Sequence, residues 1–553
     1  MNDAQAPGRT YNPWLVLVSL CLGFFMILLD TTIVNVAIPA LSDGLNAQLS
    51  DILWILNAYI LVYAVLLITC GRLGDLYGPK PLFLAGLVLF TAASAACGFA
   101  QSPAQLIGFR IAQGLGGALL TPQTLSVITM IFPAERRGAA FGLWGAVAGV
   151  ATLAGPVLGG WLVTDYGWRW IFFVNVPIGL VTLVLAAIVM PGLKLNRRHR
   201  LDLTGVAVST AGLFLITYGL IEGPSHDWGR VWGPVTIVAL LIAGVLLLAA
   251  FLYLQYAARA GEPLIPFAIF ADRNFSIMNF VVASISFGML GLFLPLTIFL
   301  QTVLGLTALQ AGLTTAPMSL ISMFLAPVAG RLADRLGGKW VLFAGVSLFA
   351  AGMGIVIGSA HLGMSRWQFL PGLIVAGFGL GMTFAPMQTV AMRNVAPRMA
   401  GAASGVINTT RQMGGVIGSA AVGALLQAQL ATGLRTAAVH NVATLPPAVP
   451  QPLKDGIVAA FSHASGRLEV GTGKTGASLA GVPPQFQDTV GRLFKAIFDE
   501  GFTHAMRVTL WLPIAVMAVA ALSILLVRRR PAEAGAVPTV PGEPAVSAAG
   551  TAH

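Results

Sequence analysis

Asp30 sits in LDTTIVNVAIP (Leu29–Pro39), and of the twenty acidic residues it alone lies deep within an apolar run. A charged side chain near the centre of a bilayer costs about 2.5–3.5 kcal/mol on insertion scales. Such a group persists when it binds a proton, a cation or a buried basic partner, and protonation lets it cross a dry interior uncharged. The alternative is a packing acid paired with a polar neighbour such as Asn35 or Thr32. Arg110, in LIGFRIAQGLGGALL, is the natural electrostatic partner of a proton site. An arginine keeps its own proton but can bias a neighbouring acid or hold a water; otherwise it anchors its helix on backbone carbonyls. Arg411, in NTTRQMGGVIGS, is a second arginine inside an apolar run, open between a binding and a packing role. With Asn35 and Gln113 it completes the polar candidates for contact with a bound molecule.

These side chains need apolar elements to carry them. Hydrophobic residues make up 57% of the chain and charged residues 9%, against roughly 25% charged in a soluble domain. A mean hydropathy of +0.84 over 553 residues requires many spanning helices. Fourteen runs qualify, near 14–39, 50–71, 80–100, 104–131, 138–163, 169–191, 203–222, 233–256, 275–302, 308–330, 339–360, 368–391, 400–428 and 504–527. The net charge of +11 does not point to nucleic acid, because the basic residues flank apolar runs instead of forming a patch with aromatics. With the N-terminus inside, nineteen basic residues fall on the cytoplasmic side, while the short outer loops hold Arg169, Arg230 and Arg366. Both termini are therefore expected in the cytoplasm. Cys21, Cys70 and Cys97 lie in or beside apolar runs with no CxxC spacing, so neither disulfide nor metal site is expected. No intramembrane His pair, nucleophile–base set or phosphate loop appears, which argues against an enzyme and against a cofactor.

The chain also repeats itself. Gly71–Lys80 reads GRLGDLYGPK and Gly330–Lys339 reads GRLADRLGGK, 259 positions apart with six of ten residues the same. Each copy joins two apolar runs, the layout of a transporter whose related bundles rock about a central site. Residues 1–192 form a first six-helix bundle, 193–260 a basic linker with two inserted helices, 261–530 a second bundle, and 531–553 a disordered cytoplasmic tail. Within the second bundle, 429–502 is expected as a polar outer segment whose pieces near 452–463 and 485–502 are weakly amphipathic. The hairpins read as gates: Gly71, Gly74 and Gly78 permit a tight turn, and Asp75 can cap a helix N-terminus or pair with an inner-face arginine such as Arg72. Gly330, Asp334 and Lys339 repeat the device, with Lys80 matching Lys339. The run GLWGAVAGVATLAGPVLGGWL (Gly142–Leu162) is expected to form a tight seam between the halves, bent at Pro156 beside Gly155. Phe24, Phe25, Met26, Met289, Phe293 and Met382 could line a greasy pocket, but such residues are more often core or lipid-facing.

With these motifs in place, the chain resembles the fourteen-helix drug:proton antiporters of the major facilitator superfamily over nearly its whole length. LDTTIVNVAIP is similar to that branch's first-helix motif, and GRLGDLYGPK to the superfamily's inner-loop signature. Arg110 with Gln113 and Gly114 fits the helix-4 motif, GPVLGG (Gly155–Gly160) resembles the antiporter motif, and WRWIFFVNVPIG (Trp168–Gly179) is typical of these proteins. The resemblance implies an all-α membrane fold of two six-helix bundles plus two inserted helices. It also implies proton-driven export of lipophilic compounds, with Asp30 and Arg110 in coupling and the antiporter motif limiting leak. In one respect the chain departs: unlike some relatives that export dications, it has no acid within runs 275–428 away from their ends. A monocation, a neutral drug or a lipophilic anion fits better, and Arg411 could meet an anion. Dedicated export of one metabolite or antibiotic, membership of an assembly with a periplasmic adaptor docked on 429–502, and proton-coupled import are the competing readings. A monomer is expected.

Overall fold

The computed structural model describes residues 11–47, 49–133, 136–192, 202–223, 226, 228–257, 267–396, 399–443, 445, 451–463 and 487–528. The basic linker before Asp202 and the tail after 530 lie outside the described residues. The helices of the first part are α1 (Pro13–Val36), α2 (Ile38–Leu45), α3 (Leu49–Tyr77), α4 (Pro79–Gly98), α5 (Pro103–Ile131), α6 (Arg137–Asp165), α7 (Trp170–Phe173) and α8 (Asn175–Val189). Next come α9 (Leu203–Glu222), α10 (Ile237–Ala257) and α11 (Ala268–Ala271). The remainder holds α12 (Arg273–Ile298), α13 (Ala308–Leu336), α14 (Lys339–Ser359), α15 (Leu370–Gly381), α16 (Phe384–Met392), α17 (Ala400–Ala443), α18 (Gln451–His463), α19 (Gln487–Thr509) and α20 (Trp511–Ile524).

Local chemistry sets several boundaries. Asn12 and Ser102 cap α1 and α5 through their side-chain oxygens, each followed directly by a proline at the first helical position. Thr307 and Gln310 close a reciprocal capping box at the start of α13. Prolines break three of the expected runs. Pro386 cannot donate to the Met382 carbonyl, and the run near 368–391 divides there into α15 and α16. Pro177 and Pro513 act the same way on the carbonyls four residues before them, separating α7 from α8 and α19 from α20.

Thirteen helices among the described residues are long and apolar enough to cross a membrane. The expected run with no counterpart among them, 138–163, is occupied by α6, a 29-residue helix. Among the described residues the architecture departs from purely helical at one point. Arg230–Trp232 (β1) pairs antiparallel with Val235–Thr236 (β2) across Gly233, whose φ of +54° suits a tight turn.

The largest departure is in 429–502. α17 does not stop near 428 but continues to Ala443, giving 44 residues in one helix. Its extension buries Leu430, Leu434, Ala437 and Ala438 together with Phe461 of α18 and Val490, Phe494 and Ile497 of α19. Asn441 Nδ2 donates to Glu500 Oε2 at 2.5 Å, and His440 Nδ1 lies 3.1 Å from Glu500 Oε1. The two amphipathic pieces expected near 452–463 and 485–502 are the helices α18 and α19, and the departure is the continuation of α17, which gives them an apolar face to pack on; residues 464–486 lie outside the described set.

α1 packs against α6 and α8, and α5 against α3 and α4, while α12 packs against α17 and α20, and α14 against α15 and α20. Two long contacts join these groups: α6 runs along α13, and α3 along α17. α9 and α10 pack on each other, with α9 also touching α3 and α17.

Candidate functional site

Asp30 is fully buried, and three donors converge on its carboxylate. Arg110 Nη1 forms a very short ion pair with Oδ2, while Gln113 Nε2 and Asn175 Nδ2 donate to Oδ1 at 2.8 and 3.3 Å. Arg110 is held by further contacts in turn. Its Nε donates to the Ile55 carbonyl at 3.1 Å, its Nη1 also reaches Gln113 Oε1 at 2.9 Å, and its guanidinium lies 4.3 Å over the Tyr59 ring. Asn175 also donates to Ser94 Oγ, which donates to the Phe172 carbonyl. Six elements, α1, α3, α4, α5, α7 and α8, thereby hold one buried charge pair. Gly114 explains the close approach of α3 and α5, since a Cβ there would come within 2.7 Å of the Tyr59 carbonyl oxygen.

The sequence candidates divide around this centre. Asp30, Arg110 and Gln113 come together, with Gln113 engaged by the ion pair as donor and acceptor. Asn35 does not join them. It is exposed, and its amide donates to the Thr31 carbonyl of its own helix at 2.9 Å. Thr32 likewise turns to backbone carbonyls, including Ala151 of α6. The same-helix pairing considered for Asp30 is therefore absent among the described residues. Asn175 was missed as a participant; the signal was one amide side chain amid the apolar WRWIFFVNVPIG.

Both hairpins reach across the molecule with the same chemistry. Asp75 Oδ1 and Oδ2 accept from the backbone N–H groups of Gly401 and Ala402 at the start of α17, both at 2.8 Å. Asp334 accepts from Gly138 and Ala139 at the start of α6, at 2.8 and 3.1 Å. Each acid thus lies on the positive end of a helix from the other half. Glycine contacts make the approach close: a Cβ on Gly71 would come 3.1 Å from Gly405 Cα, and one on Gly330 would strike the Gly138 backbone. Gly78 at φ +89° turns the chain from α3 into α4. Arg72 is buried beside this contact.

The lysines stay within their own halves. Lys80 Nζ donates to the carbonyls of Ala187 and Met190 at the end of α8, and Lys339 Nζ to those of Leu525 and Val527 at the end of α20. Gly155 also differs from its expected place. It packs against Thr32 of α1 in the same half, and the seam to α13 is made by Gly138, Gly142 and Gly149. Pro156 lies inside α6, with its side chain outside the described set.

Arg411 lies apart from the Asp30 centre. It is half-buried on α17, its Nε is shut from solvent without a hydrogen-bond partner among the described residues, and its guanidinium sits 5.9 Å from the centre of the Phe24 ring on α1.

Comparison with known proteins agrees with this architecture. Residues 20–419 match the model of the Major Facilitator Superfamily. The chain is 34% identical over 514 residues to a multidrug resistance protein of Mycobacterium tuberculosis, covering 92% of this chain and 91% of the relative. It is 34% identical over 429 residues to the tetracenomycin C resistance and export protein of Streptomyces glaucescens, covering 77% of this chain and 78% of that one. The crystal structure of a human organic anion transporter superposes with a TM-score of 0.57 at 13% identity, over 93% of this chain and 100% of that one, a likeness of fold. The protein is a multi-pass membrane transporter belonging to the Major Facilitator Superfamily.

Proposed function

We propose that this transporter exports lipophilic small molecules in exchange for protons, with Asp30 as the proton-binding acid and Arg110 as its coupling partner. The observation that carries this reading is the buried Asp30–Arg110 pair, closed off by Gln113 and Asn175. An acid so enclosed exchanges its proton only when the surrounding helices move. That ties protonation to conformation. α1 is suited to transmit the change, because it carries Asp30 toward α5 and α8 and Phe24 toward Trp144 of α6 and Arg411 of α17.

Asp75 and Asp334 act as latches in this scheme. Both are engaged here, which holds the halves together on the hairpin face. With both termini in the cytoplasm, the hairpin face is the cytoplasmic one, so the latches close the inner side. Their release requires breaking four charge-assisted hydrogen bonds to backbone. Gly155, packed on Thr32 beside Asp30, keeps α6 close to α1 and limits proton leak along that seam. The transporter acts as a monomer. The names of its relatives, a multidrug resistance protein and an antibiotic export protein, support efflux over import. The second of these names also favours a narrower reading, a dedicated exporter of one antibiotic.

The driving force depends on cargo charge. One charge crossing 100 mV is worth about 2.3 kcal/mol, roughly a 50-fold gradient. A proton exchanged for a monocation moves no net charge, so the pH difference alone drives it. Purified protein in liposomes with an imposed pH gradient tests the reading, using ethidium as monocation and a panel of neutral antibiotics. Movement of cargo against the proton gradient supports antiport. Movement with the proton overturns it, and response to a single panel member selects the narrower reading.

A further inference from the structure

The inter-half surface carries two buried donors for which the described residues supply no acceptor. Arg411 Nε–H is one. Trp144 Nε1–H, on α6, is the other. Both belong to side chains that touch the same ring: Trp144 stacks on Phe24 with centroids 4.1 Å apart and planes at 18°, and Arg411 lies 5.9 Å from that ring's centre. Three helices meet here, α1 and α6 from the first half and α17 from the second.

Neither group can accept a hydrogen bond, so only an acceptor answers them. An unpaired buried donor costs about 1–3 kcal/mol, and two so close together require a common reason. The protein's own acids do not supply it. Asp30 is held by Arg110, Gln113 and Asn175, and Asp334, the one acid in helices α12 to α16, is held by Gly138 and Ala139. Arg411 also points away from the inserted helices. Met413, two residues on and so on nearly the opposite side of α17, accepts from Thr217 of α9. Ten residues separate Arg411 from the latched start of α17 at Gly401, about 15 Å at helical rise. That is halfway through a hydrocarbon core of about 30 Å.

The rings of Phe24 and Trp144 are shut from solvent in this state; we infer that when the halves part, the face they form with Arg411 binds the acidic group of an aromatic organic acid, a carboxylate or phenolate whose ring lies against the uncovered rings. Arg411 supplies the charge, Trp144 a second hydrogen bond, and the stacked rings a flat apolar wall. This names a cargo class for the export reading, and it rests on that reading for the view that cargo sits between the halves.

Equilibrium binding to the full-length protein in lipid nanodiscs tests it without any proton gradient. The probes are 2-naphthoate, its neutral isostere 2-naphthamide and the cation 2-naphthylmethylammonium. Wild type should bind the acid about tenfold more tightly than either other probe. Arg411→Gln should bring the acid to the affinity of the amide while leaving amide binding intact, which reports a folded protein. Arg411→Lys should retain part of the preference, and Trp144→Phe, keeping the stack but not the N–H, should weaken the acid alone by about threefold. Equal affinity for acid and amide, a preference that survives Arg411→Gln, or no binding of naphthoate would overturn the inference. If Arg411→Gln does not fold, the Lys and Phe variants decide: unchanged preference in both overturns it. Acid-selective binding without proton-driven transport would keep this inference and remove the export reading. Proton-driven export with no acid preference would do the reverse.

Discussion

Arg110 and Arg411 are both arginines set within apolar helices, but the protein completes only one of them. Arg110 meets a carboxylate, two side-chain or backbone oxygens and an aromatic ring, all within one half. Among the described residues, Arg411 meets a ring from the other half and leaves Nε without an acceptor. A charge paired internally belongs to the machinery of its own bundle, where its removal strands a partner. A charge lacking an internal acceptor is suited to something that comes and goes. On this contrast rest the proposals of coupling at the first site and cargo at the second.

The comparison breaks most sharply on stability. Arg110→Gln leaves Asp30 buried without its counter-ion, and thermal unfolding in detergent should show a loss of about 3–5 kcal/mol. Adding Asp30→Asn should recover part of that loss, because the stranded charge is gone. A loss confined to Arg110→Gln of under about 0.5 kcal/mol would mean the pair is not integral to the bundle. Next in size is Gly114→Ala, whose Cβ would press on the Tyr59 carbonyl and lift α3 from α5. It should cost about 1–3 kcal/mol. Gly108→Ala on the same helix meets nothing within 4 Å and should be tolerated.

The latches sharpen the contrast at a smaller scale. Asp75 is buried with both bonds at 2.8 Å, whereas Asp334 is partly exposed and has one bond at 3.1 Å. Asp75→Asn keeps one acceptor oxygen but loses the charge and the second acceptor, so it should speed hydrogen exchange at Gly401 and Ala402 by about fivefold, the worth of one hydrogen bond. Asp334→Asn should have a smaller effect at Gly138 and Ala139, and an equal or larger one would show that burial does not set latch strength. Smallest of all, Arg411→Gln should not destabilise the protein by more than about 0.5 kcal/mol, because it removes no hydrogen bond within the described residues and relieves an unpaired donor.

Much of this was legible from residue types alone. Helix runs follow from hydropathy, and Asp30 and Arg110 stand out because charge in an apolar run demands a partner. The fourth member, Asn175, did not stand out, because an uncharged amide in such a run carries little cost to flag it. Nor could local sequence reveal that Asp75 reaches Gly401, 326 residues away, while Lys80 caps α8 in its own half. The two residues sit five apart in one motif, and only packing separates their duties. Gly155 misled for a similar reason: glycine marks a close approach without naming the neighbour. In 429–502 the amphipathic spacing of α18 and α19 was legible, but the average polarity of 429–443 hid the continuation of α17 on which they pack.

The central claim is that Asp30 carries the proton that drives export. The most direct measurement compares two modes of transport by wild type and Asp30→Asn in the same liposomes. One is accumulation driven by a pH gradient, the other is substrate-for-substrate exchange with no gradient. The account predicts that Asp30→Asn loses accumulation but retains exchange, because its helices still rock while no proton is carried. Accumulation undiminished in Asp30→Asn would contradict it.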